Sequence, residues 1–231
     1  MNALSLFPGK MACTSLGAIT ILCITIVIEA PGRAQIPENL SARRVSRSQF
    51  QVTEGAIEEA SGGLLAVTSS KMRAVVPSST SLAAEIRFKY LGPSAKASAL
   101  GSGEMRRQLG LKLRAQDPCN LVYVMWRLEP KPGVVVSIKQ NPGQHSSAEC
   151  KNGGYRNIKP VHASPVPEVE TGAFHSLQAE MKGEYLTVRV DHRTVWEGSL
   201  GSEALGLGGP VGVRTDNGRF EFEFFAGGLK P

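Results

Sequence analysis

The chain has 231 residues, four cysteines and a formal net charge of +6, enough for one folded domain with a short extension. Charged residues make up 20% of it and form no dense basic tract, which excludes the usual electrostatic footprint of a nucleic-acid binder.

Lys10 precedes an apolar run over 16–28, too short for the roughly 20 residues that a comfortable membrane-spanning helix needs. Small residues follow, and Gly32-Arg33-Ala34 fits a small-x-small cleavage pattern. Residues 1–34 are read as a secretory signal peptide cut after Ala34, with an uncleaved anchor as the competing reading. No membrane span remains after cleavage. Cutting there removes two positive charges, Lys10 and Arg33, and one negative, Glu29, leaving +5 of the original +6. It also removes Cys13 and Cys23. Cys119 and Cys150 remain, an even number in an exported chain, so a disulfide between them is expected, with two free buried thiols as the alternative. Residues 35–48 are polar and aperiodic, with Pro37, Arg43, Arg44 and Arg47. They read as a flexible leader ahead of a domain over 49–231.

Residues 49–77 are ambiguous, and the apolar residues recur at every second position only from Leu82 onward. Phe50 and Val52 suggest a strand, and 72–76 another, stopped by Pro77. Over 82–91, Ala84, Ile86, Phe88 and Tyr90 alternate with Glu85, Arg87 and Lys89. A long small-residue loop over 92–103 comes next. Leu109, Leu111, Leu113 and Ala115 then alternate with Lys112 and Arg114. Residues 121–128 are apolar on both faces, the mark of a strand in the middle of its sheet. Val134, Val136 and Ile138 define one more strand. Residues 141–155 read as a loop pinned to the start of the 121–128 strand by the expected disulfide, and 162–172 as a surface connector.

The last fifty residues are the most regular. Leu177, Ala179 and Met181 form one face of a strand, and Lys182-Gly183 turns the chain. Leu186, Val188 and Val190 repeat the pattern, and Trp196 and Leu200 lie on one side of the next run. Val211 and Val213 follow Gly208-Gly209-Pro210. Asp216-Asn217-Gly218 is a strong hairpin signal, and Phe220, Phe222 and Phe224 share the inner face of the final strand. The count is ten to twelve short strands and no convincing helix, which implies an all-β, two-sheet antiparallel sandwich.

The runs HSLQAEMKGEYLTVRVDHRTVWEG (175–198) and GPVGVRTDNGRFEFEFF (209–225) resemble the end of a concanavalin A-like jelly-roll domain. They are similar to the laminin G-like and 3-keto-disaccharide hydrolase branches of that superfamily. The resemblance covers about fifty residues well and thins out back to about Leu82. It implies the jelly-roll topology and a choice among lectins, glycosidases and binding modules.

Catalytic patterns are mostly missing. There is no Gly-x-Ser-x-Gly elbow, no phosphate-cradling glycine loop and no His-Glu-x-x-His spacing. Jelly-roll glucanases place their carboxylates as Glu-x-Asp-x-Glu on one strand, and this chain departs from that pattern. Glu221 and Glu223 lack the Asp between them and read as solvated, although carboxylates on separate strands, such as Glu85 and Glu180, remain open to meeting in space. Asp117, Asp191 and Asp216 stand alone, so no metal site and no cofactor is expected. Whether the chain is an enzyme stays open, with the balance towards none.

One constellation points to binding. With Phe88, Leu113 and Trp126 in the core, Arg87, Lys89, Lys112, Arg114, Tyr123 and Arg127 have the opposite parity. The expected ligand site is Arg87, Lys112, Arg114, Tyr123 and Arg127, a cationic, aromatic groove on the concave sheet. An ordinary polar outer face is the competing reading. The expectation is an exported, secreted or periplasmic, disulfide-stapled sandwich that binds carbohydrate or another extracellular ligand, with a leaning to anionic glycans. The alternatives are a glycoside hydrolase or lyase of the 3-keto-disaccharide hydrolase type, and a structural or protein-interaction domain of the cell envelope.

Overall fold

The computed structural model describes residues 42–80 and 82–229. The expected signal peptide and residues 35–41 of the expected leader lie outside them. The early strands are β1 (Arg43–Arg44), β2 (Gln51–Glu54), β3 (Glu58–Glu59), β4 (Leu65–Val67) and β5 (Lys71–Val75). Then come β6 (Ala83–Pro93), β7 (Arg107–Asp117), β8 (Asn120–Glu129), β9 (Gly133–Lys139), a single helical turn α1 (Ser147–Cys150), β10 (Tyr155–Asn157) and β11 (His162–Ala163). The chain closes with β12 (Phe174–Lys182), β13 (Tyr185–Val190), β14 (Arg193–Ser199), β15 (Gly212–Asp216) and β16 (Gly218–Ala226). No helix among the described residues is long and apolar enough to cross a membrane.

Two antiparallel sheets form. The nine-stranded sheet runs β11-β14-β13-β12-β6-β16-β4-β3, with β1 also pairing with β16. The seven-stranded sheet runs β10-β9-β8-β7-β15-β5-β2. Their inner faces carry the residues that the period of two picks out. Phe88, Trp126, Phe220, Phe222, Phe224, Leu109, Leu111 and Leu113 are all fully buried between the sheets. Each such side chain removed from water contributes about 1.5–3 kcal/mol. Phe88 meets Trp126 edge-to-face with ring centroids 5.4 Å apart, and Phe50 meets Phe224 in the same way, also at 5.4 Å.

Four features differ from the sequence reading. The sandwich begins inside the expected leader: Arg43–Arg44 pair with Ala226 and Phe225, and Val45 is buried. The Val45 N–H donates to the Phe224 carbonyl at 2.8 Å. The sixteen strands among the described residues outnumber the expected ten to twelve, because pieces as short as β1, β3 and β11 are too brief to show a period. β11 lies in the expected surface connector and pairs with β14.

The fourth difference is the largest. Asp216-Asn217-Gly218 is not a hairpin: β15 pairs with β5 and β7 in one sheet, and β16 pairs with β4 and β6 in the other. Asn217 takes the left-handed conformation (φ 56°) that the motif favours, but the chain uses it to cross between sheets. Its side-chain amide accepts from the Ser98 N–H at 2.7 Å and donates to the Ser98 and Arg106 carbonyls at 2.9 Å each. The crossing is thereby tied to the loop ahead of β7.

Candidate functional site

The outer face of the seven-stranded sheet holds a groove of about 570 Å³. Alternation decides its floor. Leu109, Leu111 and Leu113 of β7 and Val122, Val124 and Trp126 of β8 point into the core. Gln108, Lys112, Tyr123, Met125 and Arg127 therefore point outward. Arg73 of β5, Arg214 of β15 and Lys139 of β9 face the same side. The walls are the 94–106 loop and the 140–154 loop. These approach each other closely: a Cβ placed at Gly101 would stand 3.1 Å from the Asn152 Cβ.

Asp216 organises the floor. It is completely buried. Its carboxylate accepts from Arg73 at 2.6 Å, Gln108 at 2.7 Å and the Arg214 Nε at 2.9 Å. Burial alone would raise its pKa. Arg214 and Arg73, with the hydrogen bonds from Gln108 and Arg214, outweigh that and hold it below the usual range. Burial likewise opposes the Arg214 charge, and Asp216 more than restores it.

Arg214 in turn braces an aromatic platform. Its cross-strand neighbour on β7 is Gly110, which has no side chain to intervene. The guanidinium lies 4.9 Å from the centre of the Tyr123 ring. Tyr155 of β10 stacks on Tyr123 at 5.9 Å with the planes 21° apart, and remains 39% exposed at the groove. Burial pushes the Tyr123 hydroxyl up to about 12, so the ring stays neutral at ordinary pH.

The disulfide fixes one wall. Cys119, in the turn between β7 and β8, is bonded to Cys150 at the end of α1, as expected from the sequence. Lys139 completes the clasp by donating to the Pro118 carbonyl at 3.1 Å and the Lys151 carbonyl at 3.0 Å. Asp117 receives the Cys119 N–H at 2.8 Å and holds His145 at 2.8 Å.

Two cations of the floor are left over. The Lys112 side chain has no hydrogen-bond or ion-pair partner among the described residues, and the residue is only 5% exposed. Burial, then the nearby Arg73 and Arg214, lower its pKa to about 7. The Nε of Arg127 is buried without a partner, as is the Oε1 of Gln108, its cross-strand neighbour.

No protein-family model matches the sequence, and no curated protein sequence does. Solved structures do match in shape. A carbohydrate-binding module (CBM66) from Bacillus subtilis superposes with a TM-score of 0.52 at 15% identity, over 75% of this chain and 91% of that one. The carbohydrate recognition domain of Emp46p gives 0.48 at 12% identity, over 80% and 90%. Domain 4 of the arabinanase AbnA from Geobacillus stearothermophilus gives 0.44 at 11%, over 79% and 84%. The fold is a two-sheet antiparallel jelly roll.

On this jelly roll the five expected site residues part company. Lys112, Tyr123 and Arg127 meet in the groove. Arg87 does not, because β6 belongs to the nine-stranded sheet. Its Nε bonds Glu85 at 2.6 Å, and its guanidinium covers the Phe225 ring at 4.5 Å on that sheet's outer face. The Glu85 hydrogen bond raises the Arg87 pKa. Lys89 lies on the same outer face over the Phe174 ring. Arg114 also leaves the groove. The β7–β8 register breaks after Leu113, Arg114 takes φ 48°, and its guanidinium donates to the Leu207 carbonyl at 2.7 Å. The break turns Ala115 outward beside Leu121, Tyr123 and Met125, a small apolar cluster on the groove side. Glu85 and Glu180 lie on adjacent strands, and each is paired with a cation rather than with the other.

Arg73, Lys139, Tyr155, Arg214 and Asp216 went unnoticed as site residues. Arg73 and Arg214 do carry the signal of outward parity, each between two buried neighbours, but parity does not name the sheet.

Proposed function

We propose that the groove binds carbohydrate without transforming it. The observation that carries this reading is the Tyr155 ring, exposed at the groove among hydrogen-bonding side chains and backed by the buried Tyr123 stacked against it. Sugars present C–H faces to such rings and hydroxyls to the polar groups around them. The match in shape to a carbohydrate-binding module supports the same class of ligand. The lining is rich in Lys and Arg, which favours an anionic glycan.

Binding fits the groove better than hydrolysis does. Hydrolysis of a glycosidic bond needs one carboxyl kept protonated by a raised pKa. The lining carboxylates Glu54 and Glu104 each sit beside an arginine. The hydrogen bond from Arg106 lowers the Glu104 pKa, the wrong direction for a general acid. The protein is read as exported, with residues 1–34 as its signal peptide. The Cys119–Cys150 bond supports an oxidising compartment.

A glycan array run with a reducing-sugar release assay tests this reading. Retention without release is expected, and Tyr155→Ala is expected to weaken it about 10-fold, or about 1.4 kcal/mol. Release of reducing ends, or full retention by the variant, would count against it.

A further inference from the structure

We infer that Lys112 and Arg127 are two separate anion seats, so that the ligand is an oligosaccharide with acidic groups, carboxylate or sulfate, on more than one ring. This rests on the carbohydrate reading above and goes further, because it assigns the charges of the ligand to positions in the groove.

The cations of the groove divide by what already holds them. Arg73 donates to Asp216 and to the Met72 and Thr215 carbonyls. Arg214 is spent on Asp216 and the two tyrosines. Lys139 is spent on carbonyls of the disulfide clasp, and Arg106 on Glu104. Lys112 has no such partner, and the Arg127 Nε has none either. Lys112 is almost entirely withdrawn from water, and Arg127 is half-buried with its Nε fully covered. A desolvated donor without an acceptor is costly, and a ligand oxygen supplies what is missing. The surplus is of donors, so the complement is an acceptor-rich, negatively charged ligand.

Their separation sets the kind of ligand. Arg127 pairs across the ladder with Gln108, and Lys112 with Tyr123. Gln108 and Lys112 both lie on β7, and four residues of strand span about 13 Å. That distance exceeds one sugar ring, and the tyrosine platform lies beside the Lys112 end. The orphan Oε1 of Gln108 is placed to accept a hydroxyl at the Arg127 end.

The two seats differ in their response to pH. Arg73 and Arg214 face Lys112 and oppose its charge, Glu54 supports it, and Tyr123 beside it is neutral. With a pKa of about 7, Lys112 is charged below neutrality and uncharged above it. Arg127 keeps its charge throughout that range.

Calorimetry on the full folded chain tests the assignment, with tetragalacturonate, its methyl ester and a sulfated tetrasaccharide as probes. Tighter binding of at least one acidic probe than of the ester is expected, and which acid wins distinguishes carboxylate from sulfate. Lys112→Met and Arg127→Gln are each expected to lose about 10-fold for that probe and clearly less for the ester, which lacks the charge but keeps hydrogen-bonding oxygens. The double variant should lose the product, since groups this far apart act independently. Wild-type affinity for the acidic probe should rise as pH falls from 8.5 to 6, and that rise should vanish in Lys112→Met. Met keeps the length of the lysine stem and removes an unpartnered charge, so folding is preserved.

Unchanged acidic binding in either variant overturns the two-seat assignment. Equal binding of acid and ester overturns it while leaving the carbohydrate reading in place. Failure of every oligosaccharide on a broad panel, charged or neutral, overturns both.

Discussion

Asp216→Asn is expected to lower the unfolding free energy by about 3–5 kcal/mol, the usual result of removing one partner from a buried ion pair. The substitution nearly preserves shape. It removes the charge that Arg73 and Arg214 share, at a position with no access to water. Two guanidiniums would then sit against the sheet without a counter-ion. Arg214 would lose the anchor that sets it over Tyr123, so affinity for any ligand of the groove should fall with stability. Urea unfolding followed by the fluorescence of the buried Trp126 and Trp196 reads the effect directly. A midpoint shift worth less than about 1 kcal/mol, the size of an ordinary substitution, would show that the carboxylate is not the anchor.

The same carboxylate predicts a pH dependence. Its folded pKa lies below the usual value, so its contribution is fully present above about 3.9, the unfolded carboxyl pKa. The contribution is lost as pH falls below that through the folded pKa. Wild-type stability should drop over this acid window, and Asp216→Asn should flatten that part of the curve.

Removal of the disulfide is the second large effect. Cys119 and Cys150 are 31 residues apart. In the chain-entropy model, opening a loop of this length costs about 3.7 kcal/mol at 25 °C. For a chain of this size that is roughly 7–15 °C in the unfolding midpoint. Cys119→Ala/Cys150→Ala should show the drop without reductant, and the wild type should show it only when reduced. The loop released is also a groove wall, carrying Ser147, Lys151 and Asn152. Ligand affinity should therefore fall even well below the new midpoint. A double variant that melts with the wild type would mean that Lys139 and its carbonyl partners hold the wall alone.

The sequence by itself determined the class of fold and the composition of the core. A period of two is a local property: the pleat sends neighbouring side chains to opposite faces wherever the strand ends up. Phe220, Phe222 and Phe224 had to share a face, as did Leu109, Leu111 and Leu113, and all six are buried. The cysteine pair was legible for a similar reason, since it was the only pair left beyond the expected signal. Three residues of the candidate site, Lys112, Tyr123 and Arg127, followed from the same parity.

Tertiary structure decided the rest, because pairing partners are chosen by contacts far apart in sequence. β6 and β7 are consecutive with like patterns, yet they lie in different sheets, and Arg87 is thereby carried to the opposite face of the molecule. One residue with positive φ at Arg114 inverted the parity after it. Asp216-Asn217-Gly218 has the local chemistry of a hairpin, but its two polar side chains bond to groups more than a hundred residues away in sequence. Those long-range bonds turn the corner into a crossing between sheets and make Asp216 the pivot of the groove. Alternation fixes which way a side chain points from its own strand, and only the packing of the whole chain fixes which surface that strand belongs to.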